Sequence, residues 1–302
     1  MAALGVDAVE LGTGNYPGSG HCDPDELLAD RDKRKAFRRA LDERGLVVSA
    51  LSCHGNPLHP DEEVALRSHE TWRKTVRLAT ELEVPVVNLF SGCPGDSPTA
   101  SGPNWVTCAW PPEYGEVLEW QWTERAIPYW SAEAAFAREH GLTKIALELH
   151  PGFLVYNPET LLRLRASAGP EIGANLDPSH LVWQGIDPIE SVKQIAREGA
   201  LFHAHAKDTY LDAANIRLNG VLDTKHYSRF AERSWSFRTV GYGQDEKFWR
   251  DFASALRTAG YDYVLSIEHE DGLVSIDEGV SKAVAFLQQV LFKEAPTEMW
   301  WA

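Results

Sequence analysis

The chain has 302 residues, 44% hydrophobic and 24% charged, the balance of an ordinary globular protein with length for one large domain or two modest ones. Its 29 Lys+Arg against 44 Asp+Glu give a formal net charge of −15, a surface that repels nucleic-acid phosphates and anionic membranes alike. No stretch approaches the ~20 apolar residues of a membrane span, residues 1–30 lack an export-signal pattern, and Cys22, Cys53, Cys93 and Cys108 form no CxxC pair, so they read as reduced thiols of a cytoplasmic protein.

In chain order, seven short apolar runs read as buried strands: Val6–Gly12, Val47–Gly55, Pro85–Gly92, Lys144–Gly152, Ile172–His180, Leu201–Asp208 and Tyr261–Asp271. Amphipathic helices separate most of them. Asp32–Arg44 puts Phe37 and Leu41 on one face and stops at Gly45, and Gln244–Ala259 spaces Phe248, Phe252 and Leu256 four apart before Gly260. Asn157-Pro158 and Asp187-Pro188 each read as an N-cap followed by proline in the first turn. Alternating strands and helices imply a parallel sheet with helices outside, and polar residues at successive strand ends favour a closed barrel over an open sheet. Two long stretches, 93–130 and 209–243, follow strand ends and are expected to rise as lids over the active face. No repeat or linker interrupts 1–302, so a single barrel domain is expected.

Side-chain parity sharpens the picture. Ile145, Leu147 and Leu149 share one face of their strand, while Ala146, Glu148 and His150 share the other. The same split separates Val9 and Leu11 from Ala8 and Glu10, and Leu265 and Ile267 from Ser266, Glu268 and Glu270. One face suits packing on helices; the other suits a barrel lumen. Glu148 in ALELHPG, Asp177 in NLDPSHL, His205 in HAHAKD and Glu268 in SIEHED then converge at the barrel mouth. Three carboxylates there repel one another unless a cation sits between them, and carboxylates with one imidazole suit a hard or borderline divalent ion. The plainer reading is that each acid caps a helix or pairs with an arginine.

The stretches GVDAVELGTG, LSCHGNPLHP, ALELHPG, NLDPSHLVWQGIDP, HAHAKD, RTVGYG and GYDYVLSIEHED, in that order, resemble the sugar phosphate isomerase/epimerase superfamily of xylose isomerase-like TIM barrels. The resemblance implies a (β/α)8 barrel whose metal ligands stand on strands five to eight, here Glu148, Asp177, His205 and Glu268. It implies one divalent ion, Mn²⁺ ahead of Mg²⁺, Co²⁺ or Zn²⁺, and a small carbohydrate substrate. Glu148 falls on the fourth visible strand rather than the fifth, and the opening MAALGVDAVELG resembles the end of a first helix running into a second strand. The expectation is therefore a barrel lacking its first strand, the alternative being a degenerate barrel in which Val6–Gly12 takes that strand's place.

The ligand set implies a mechanism: the ion chelates a ketose carbonyl and its neighbouring hydroxyl, and Glu148 and Glu268 remove and return a proton through an enediolate. Return to the opposite face epimerises, return to the adjacent carbon isomerises, and loss of a β-leaving group makes a lyase. Among supporting residues, His180 resembles a family histidine that binds substrate hydroxyls. His150, His54 and Glu10 line the lumen and are candidate substrate contacts, as are Arg238 and Arg233 on the second lid. His203 reads as a packed lumen histidine and Lys207 as an internal salt bridge or an anion contact. Trp105, Trp110, Trp120, Trp122 and Trp130 crowd the first lid, read equally as an aglycone pocket or as packing. The leading reading is a metal-dependent carbohydrate isomerase or epimerase. The alternative is a metal-dependent lyase, of the inosose dehydratase type or cleaving C-glycosides as 3-keto-glycosides. An endonuclease IV-like repair enzyme is disfavoured by the −15 charge, and a non-catalytic scaffold by the retained ligands. Homo-oligomers or a small partner subunit are compatible with all of these; nucleic acid and membrane partners are not expected.

Overall fold

A computed structural model, describing residues 1–299 and 301, curls seven parallel strands into one sheet. They are β1 (Ala8–Gly12), β2 (Val47–Ser52), β3 (Val87–Leu89), β4 (Ile145–Glu148), β5 (Ile172–Leu176), β6 (Leu201–Ala206) and β9 (Leu265–Ile267), paired in that order. All seven fall within the runs marked by hydrophobicity. Between β6 and β9 the chain makes an antiparallel ribbon, β7 (Asp208–Leu211) with β8 (Trp235–Arg238), which the sequence reading did not contain. The helices begin where their caps predict: Asn157 forms a capping box with Thr160 ahead of Pro158–Ala168, and Asp187 caps Pro188–Arg197. The helix expected at Asp32–Arg44 runs Arg31–Asp42, with Gly45 in the left-handed region at φ 65°.

The ring is one strand short of eight. β9 and β1 come within 8 Å of one another at Cα positions yet share no ladder. This seam is where a complete barrel has its first strand, in keeping with the sequence reading. The flanking strands show it: β1 and β9 are half-buried along their length, whereas β3, β4 and β5 are buried throughout. Side chains close the seam instead. Ser266 Oγ on β9 donates to Glu10 Oε2 on β1 at 2.8 Å, and the Tyr263 hydroxyl donates to the Ser49 carbonyl at 2.7 Å.

The two faces of the strands part as parity requires. Ile145, Leu147 and Leu149 join the outer core beneath the helices, while Ala50, Val86, Ala146 and Phe202 close the lumen floor. Phe202 and His203 are sequence neighbours and both turn inward, because the β5–β6 register slips by one residue between Ala174 and Asn175. Gly173 makes room for that ring: a Cβ there would lie 2.4 Å from Phe202 and 2.6 Å from the Ala200 carbonyl oxygen.

The first expected lid is only half a lid. From Pro112 the chain is already the barrel helix after β3, running Pro112–Trp120, a π-helical turn Gln121–Ala126, then Ile127–Glu139. Trp122 and Trp130 are fully buried core side chains and Trp110 is 75% exposed, so three of the five tryptophans do not form an aglycone pocket with Trp105 and Trp120. The π-turn buries Gln121, whose amide donates to the carbonyls of Gly95 and Asn104 at 2.9 and 2.8 Å and pins the remaining loop. The second lid is a built unit. Trp183 stacks on Trp235 at 4.6 Å between ring centroids, with Phe237 beside them. Arg233 is buried between Tyr227 and Trp235, and its Nε donates to the Trp235 carbonyl. Nη1 donates to the Lys225 carbonyl and Nη2 is buried without a partner, so Arg233 is packed inside the lid rather than presented on it, which corrects its reading as a substrate contact. Among the described residues no helix is long and apolar enough to cross a membrane, and the four cysteines are unpaired.

Replacing Gly173 with alanine should lower stability by about 1–3 kcal/mol, the usual cost of overpacking a tight core. Denaturant unfolding of Gly173→Ala against Gly173→Ala/Phe202→Leu measures it, and the double variant should recover part of the loss.

Candidate active site

Four strand ends deliver the acidic cluster. Glu148 closes β4, and Asp177 follows β5 as the N-cap of helix Pro178–Gln184, one oxygen accepting the Ser179 amide at 2.8 Å. His205 lies on β6, and Glu268 directly follows β9. One ligand atom from each of the four lies within 4.8 Å of the others. His205 Nδ1 stands 3.3 Å from Glu268 Oε2, 3.8 Å from Asp177 Oδ2 and 3.9 Å from Glu148 Oε2. The other oxygen of Asp177, Oδ2, is buried with no hydrogen-bond partner. An orphaned carboxylate oxygen aimed among two further carboxylates and an imidazole is what a divalent cation would satisfy, and oxygen with one nitrogen is a donor set that suits it.

Histidines hold Glu148 from behind. His54 Nε2 is 2.9 Å from Oε2 and His180 Nε2 is 3.0 Å from Oε1. Burial opposes ionisation of Glu148, but the close imidazoles of His180 and His54 outweigh it and keep the carboxyl well below its ordinary range. His150 packs its ring 4.0 Å from that of His180; burial and the His180 charge push its pKa down to about 3, so it is neutral at physiological pH. Glu148, His150 and His180 form a second group whose ligand atoms lie within 4.8 Å. Parity put His150 on the face of Glu148 and His54 in the lumen; the fold brings both of them, together with His180, to Glu148.

On the opposite side Lys207 is buried, with Nζ 3.2 Å from Glu268 and 2.9 Å from Glu270, and 4.3 Å from the centre of the Phe237 ring. Burial works against both charges of this pair, but Glu268 holds the lysine protonated and Lys207 holds Glu268 down to about 2. The internal salt bridge expected of Lys207 is present. His203 is fully buried with Nδ1 3.0 Å from Asn175 Oδ1, a packed lumen histidine as read. Glu10 lies beneath His205, 3.1 Å from Nε2. Desolvation there is outweighed by His205, so Glu10 is ionised and His205 is raised well above the usual imidazole value. Arg238 pairs with Asp271 at 3.3 Å at the lid border.

Three groups escaped the sequence reading. Phe90 stacks on Phe153 at 4.2 Å, meets His54 edgewise and His150 at a tilt, making an apolar wall over the histidines. Phe237 forms the facing wall, 5.3 Å from His180. Asp208 gathers the amides of Gly241, Gly243 and Gln244 and so fastens the returning end of the lid to β6. The period-2 pattern marked Glu270 as lumen-facing, but only the fold brings it to Lys207.

A family model described as "Xylose isomerase-like TIM barrel" matches residues 1–290. The uncharacterized protein YfiH of Bacillus subtilis is 41% identical over 292 residues, 96% of this chain and 92% of its own. Among solved structures, a D-tagatose 3-epimerase-like protein superposes with a TM-score of 0.62 at 22% identity, covering 94% of this chain and 89% of that one. The probable 3-DHS dehydratase AsbF of Bacillus anthracis gives 0.63 at 16% identity, covering 95% and 90%. At such identities the two structures speak for the fold alone.

The site's charges set the pH response of the metal-free protein. Glu10, Glu148 and Glu268 are lowered in the folded state, so their contribution is complete above about 4.5 and is lost as pH falls through their folded values, about 2 for Glu268. His205 is raised, so its contribution is complete below 6.5 and fades only as pH rises through its higher folded value. His150 and His203 are lowered by burial, to about 3 and about 4, so the unfolded chain binds their protons first as pH drops below 6.5. Melting temperature should therefore fall as pH drops from 6.5 to 4.5 and go on falling below 4.5 as the carboxylates add their loss. Thermal melts across that range check it, with Glu268→Gln expected to flatten the acid limb.

Proposed function

Because the chain belongs to the xylose isomerase-like TIM-barrel family, we propose that it is a divalent-metal-dependent carbohydrate isomerase or epimerase acting on a ketose or keto-sugar. The observation that carries the reading is the convergence of Glu148, Asp177, His205 and Glu268 within 4.8 Å at one barrel mouth. These four residues would hold the ion, Mn²⁺ being the first candidate for an oxygen-rich set with one nitrogen. When bound, the ion supplies Lewis-acid polarisation of a carbonyl and charge stabilisation of the enediolate that follows proton removal.

The chain's own residues account for the rest. Glu148 and Glu268 are both ionised at neutral pH, as a proton acceptor must be. They stand in different surroundings. Glu148 is walled in by His54, His180 and Phe90, whereas the Glu268 side chain is 35% exposed. One carboxylate takes the proton from one side of the substrate and the other returns it from the opposite side, or to the adjacent carbon. His180 and neutral His150 offer hydrogen bonds to substrate hydroxyls. The aromatic walls Phe90–Phe153 and Phe237 exclude water from the histidine side.

The test is solvent exchange. Mn²⁺-loaded protein in D₂O, given ketoses and 3-keto-glycosides, should place deuterium on the carbon next to the carbonyl without elimination, read by NMR. Glu148→Gln and Glu268→Gln should each slow this by about 10²–10⁴-fold, the usual worth of a positioned acid–base group. An unsaturated or cleaved product would assign a lyase instead. Absence of any exchange by fully loaded protein overturns the reading.

A further inference from the structure

We infer that Glu10 is a positioning residue that orients His205 for the ion, an inference that rests on the four-ligand reading above. The sequence placed Glu10 in the lumen as a candidate substrate contact, but its carboxylate is already saturated. Oε1 accepts from the Ser52 hydroxyl on β2 and from Asn88 Nδ2 beside it on β3 at 2.8 Å. Oε2 accepts from His205 Nε2 at 3.1 Å and from Ser266 Oγ at 2.8 Å. A carboxylate has about four lone-pair sites, and four donors on four different strands occupy them. Nothing remains for a sugar hydroxyl.

The bond to His205 has a consequence for the other ring nitrogen. An imidazole that gives its Nε2 proton to Glu10 presents Nδ1 as the free ligand atom, and Nδ1 is the one that faces Glu148, Asp177 and Glu268 at 3.9, 3.8 and 3.3 Å. Asn175 Nδ2 also lies 3.0 Å from Nε2, but it is itself a donor, its oxygen being turned to His203, so only Glu10 can take the Nε2 proton and set both the tautomer and the direction of the ring. The same carboxylate bridges the seam through Ser266, two residues before Glu268, so the two ligand strands β6 and β9 are referred to a single anchor on β1.

The test uses the full chain with Mn²⁺ affinity measured by titration calorimetry and the visible spectrum of the Co²⁺-loaded protein. Glu10→Ala should weaken Mn²⁺ binding by about 10–100-fold, the usual effect of removing a histidine's carboxylate partner, and should move the Co²⁺ ligand-field bands. Glu10→Gln, which keeps one acceptor oxygen, should fall between wild type and alanine; it also carries the test should Glu10→Ala not fold by circular dichroism. Ser266→Ala removes a seam bond but leaves the His205 bond, and should weaken Mn²⁺ binding clearly less than Glu10→Ala does, with the Co²⁺ bands moved less. Variants at Glu10 with wild-type affinity and spectrum overturn the inference, as does a Ser266→Ala change as large as that of Glu10→Ala, which would mean that the seam alone matters. A wild-type chain that takes up neither ion overturns the four-ligand reading itself, a separate and recognisable result.

Discussion

Glu148, Asp177 and Glu268 bring carboxylate oxygens within 4.8 Å of one another, and at an effective dielectric near 20 two like charges at that range repel by about 3 kcal/mol. With three such pairs in a largely buried layer, the cluster stands only because cations are built in beside it. Both come from the inward face of one strand end: His205 and, two residues on, Lys207, each buried. His205 faces all three acids, and Lys207 is shared between Glu268 and Glu270. The carboxylate layer therefore depends on β6 being in register with β4, β5 and β9. The register slip at Phe202 decides this, because it sets His203, His205 and Lys207 on the lumen side while Phe202 still seals the floor.

The seam adds a second dependence. A barrel normally removes its edges by pairing every strand, and an unpaired edge leaves backbone donors and acceptors exposed. Here β9 and β1 approach without a ladder; Ser266 bonds Glu10 between them, and Tyr263, just before β9, reaches past β1 to the Ser49 carbonyl on β2. Side-chain bonds of this sort are few and their geometry is less redundant than a ladder. It is consistent that the helix after β1, Arg31–Asp42, has no fully buried residue, since its outer neighbour in the ring of helices is missing on the seam side.

Much of this was legible in the sequence, for reasons that are local. Period-2 alternation in Ile145–Glu148 or Leu265–Ile267 assigns each residue to sheet face or lumen without reference to the rest of the chain, so the strands and the four converging groups could be read directly. What could not be read depends on partners far away in sequence. The β7–β8 ribbon joins residues 208 and 238 across a loop containing a helix of its own, and nothing within β8 announces its partner. The helix from Pro112 was hidden because Pro112, Gly115 and Pro128 are poor helix residues in isolation, tolerated here at a first turn, on an exposed face and after the π-turn. Glu10 was correctly placed in the lumen, but its occupancy by Ser52, Asn88, His205 and Ser266 follows only from the closed ring.

The two candidate acid–base groups are not interchangeable. Glu148 is backed by His54 and His180, with Phe90 against His54, while Glu268 lies toward the lid border, where Arg238 and Asp271 meet. Asp271 also accepts the Thr239 amide and hydroxyl, at 2.8 and 2.9 Å, and Asp208 takes up the amides that follow, so the lid returns to the barrel along the Glu268 side. A proton carried by Glu268, whose side chain is 35% exposed, is therefore close to solvent, and one carried by buried Glu148 is not. For paired carboxylates such a difference in environment separates roles. Under the proposed chemistry, a proton held by Glu268 would mix with solvent sooner than one held by Glu148. The stereochemical face on which label first appears then identifies which carboxylate serves it.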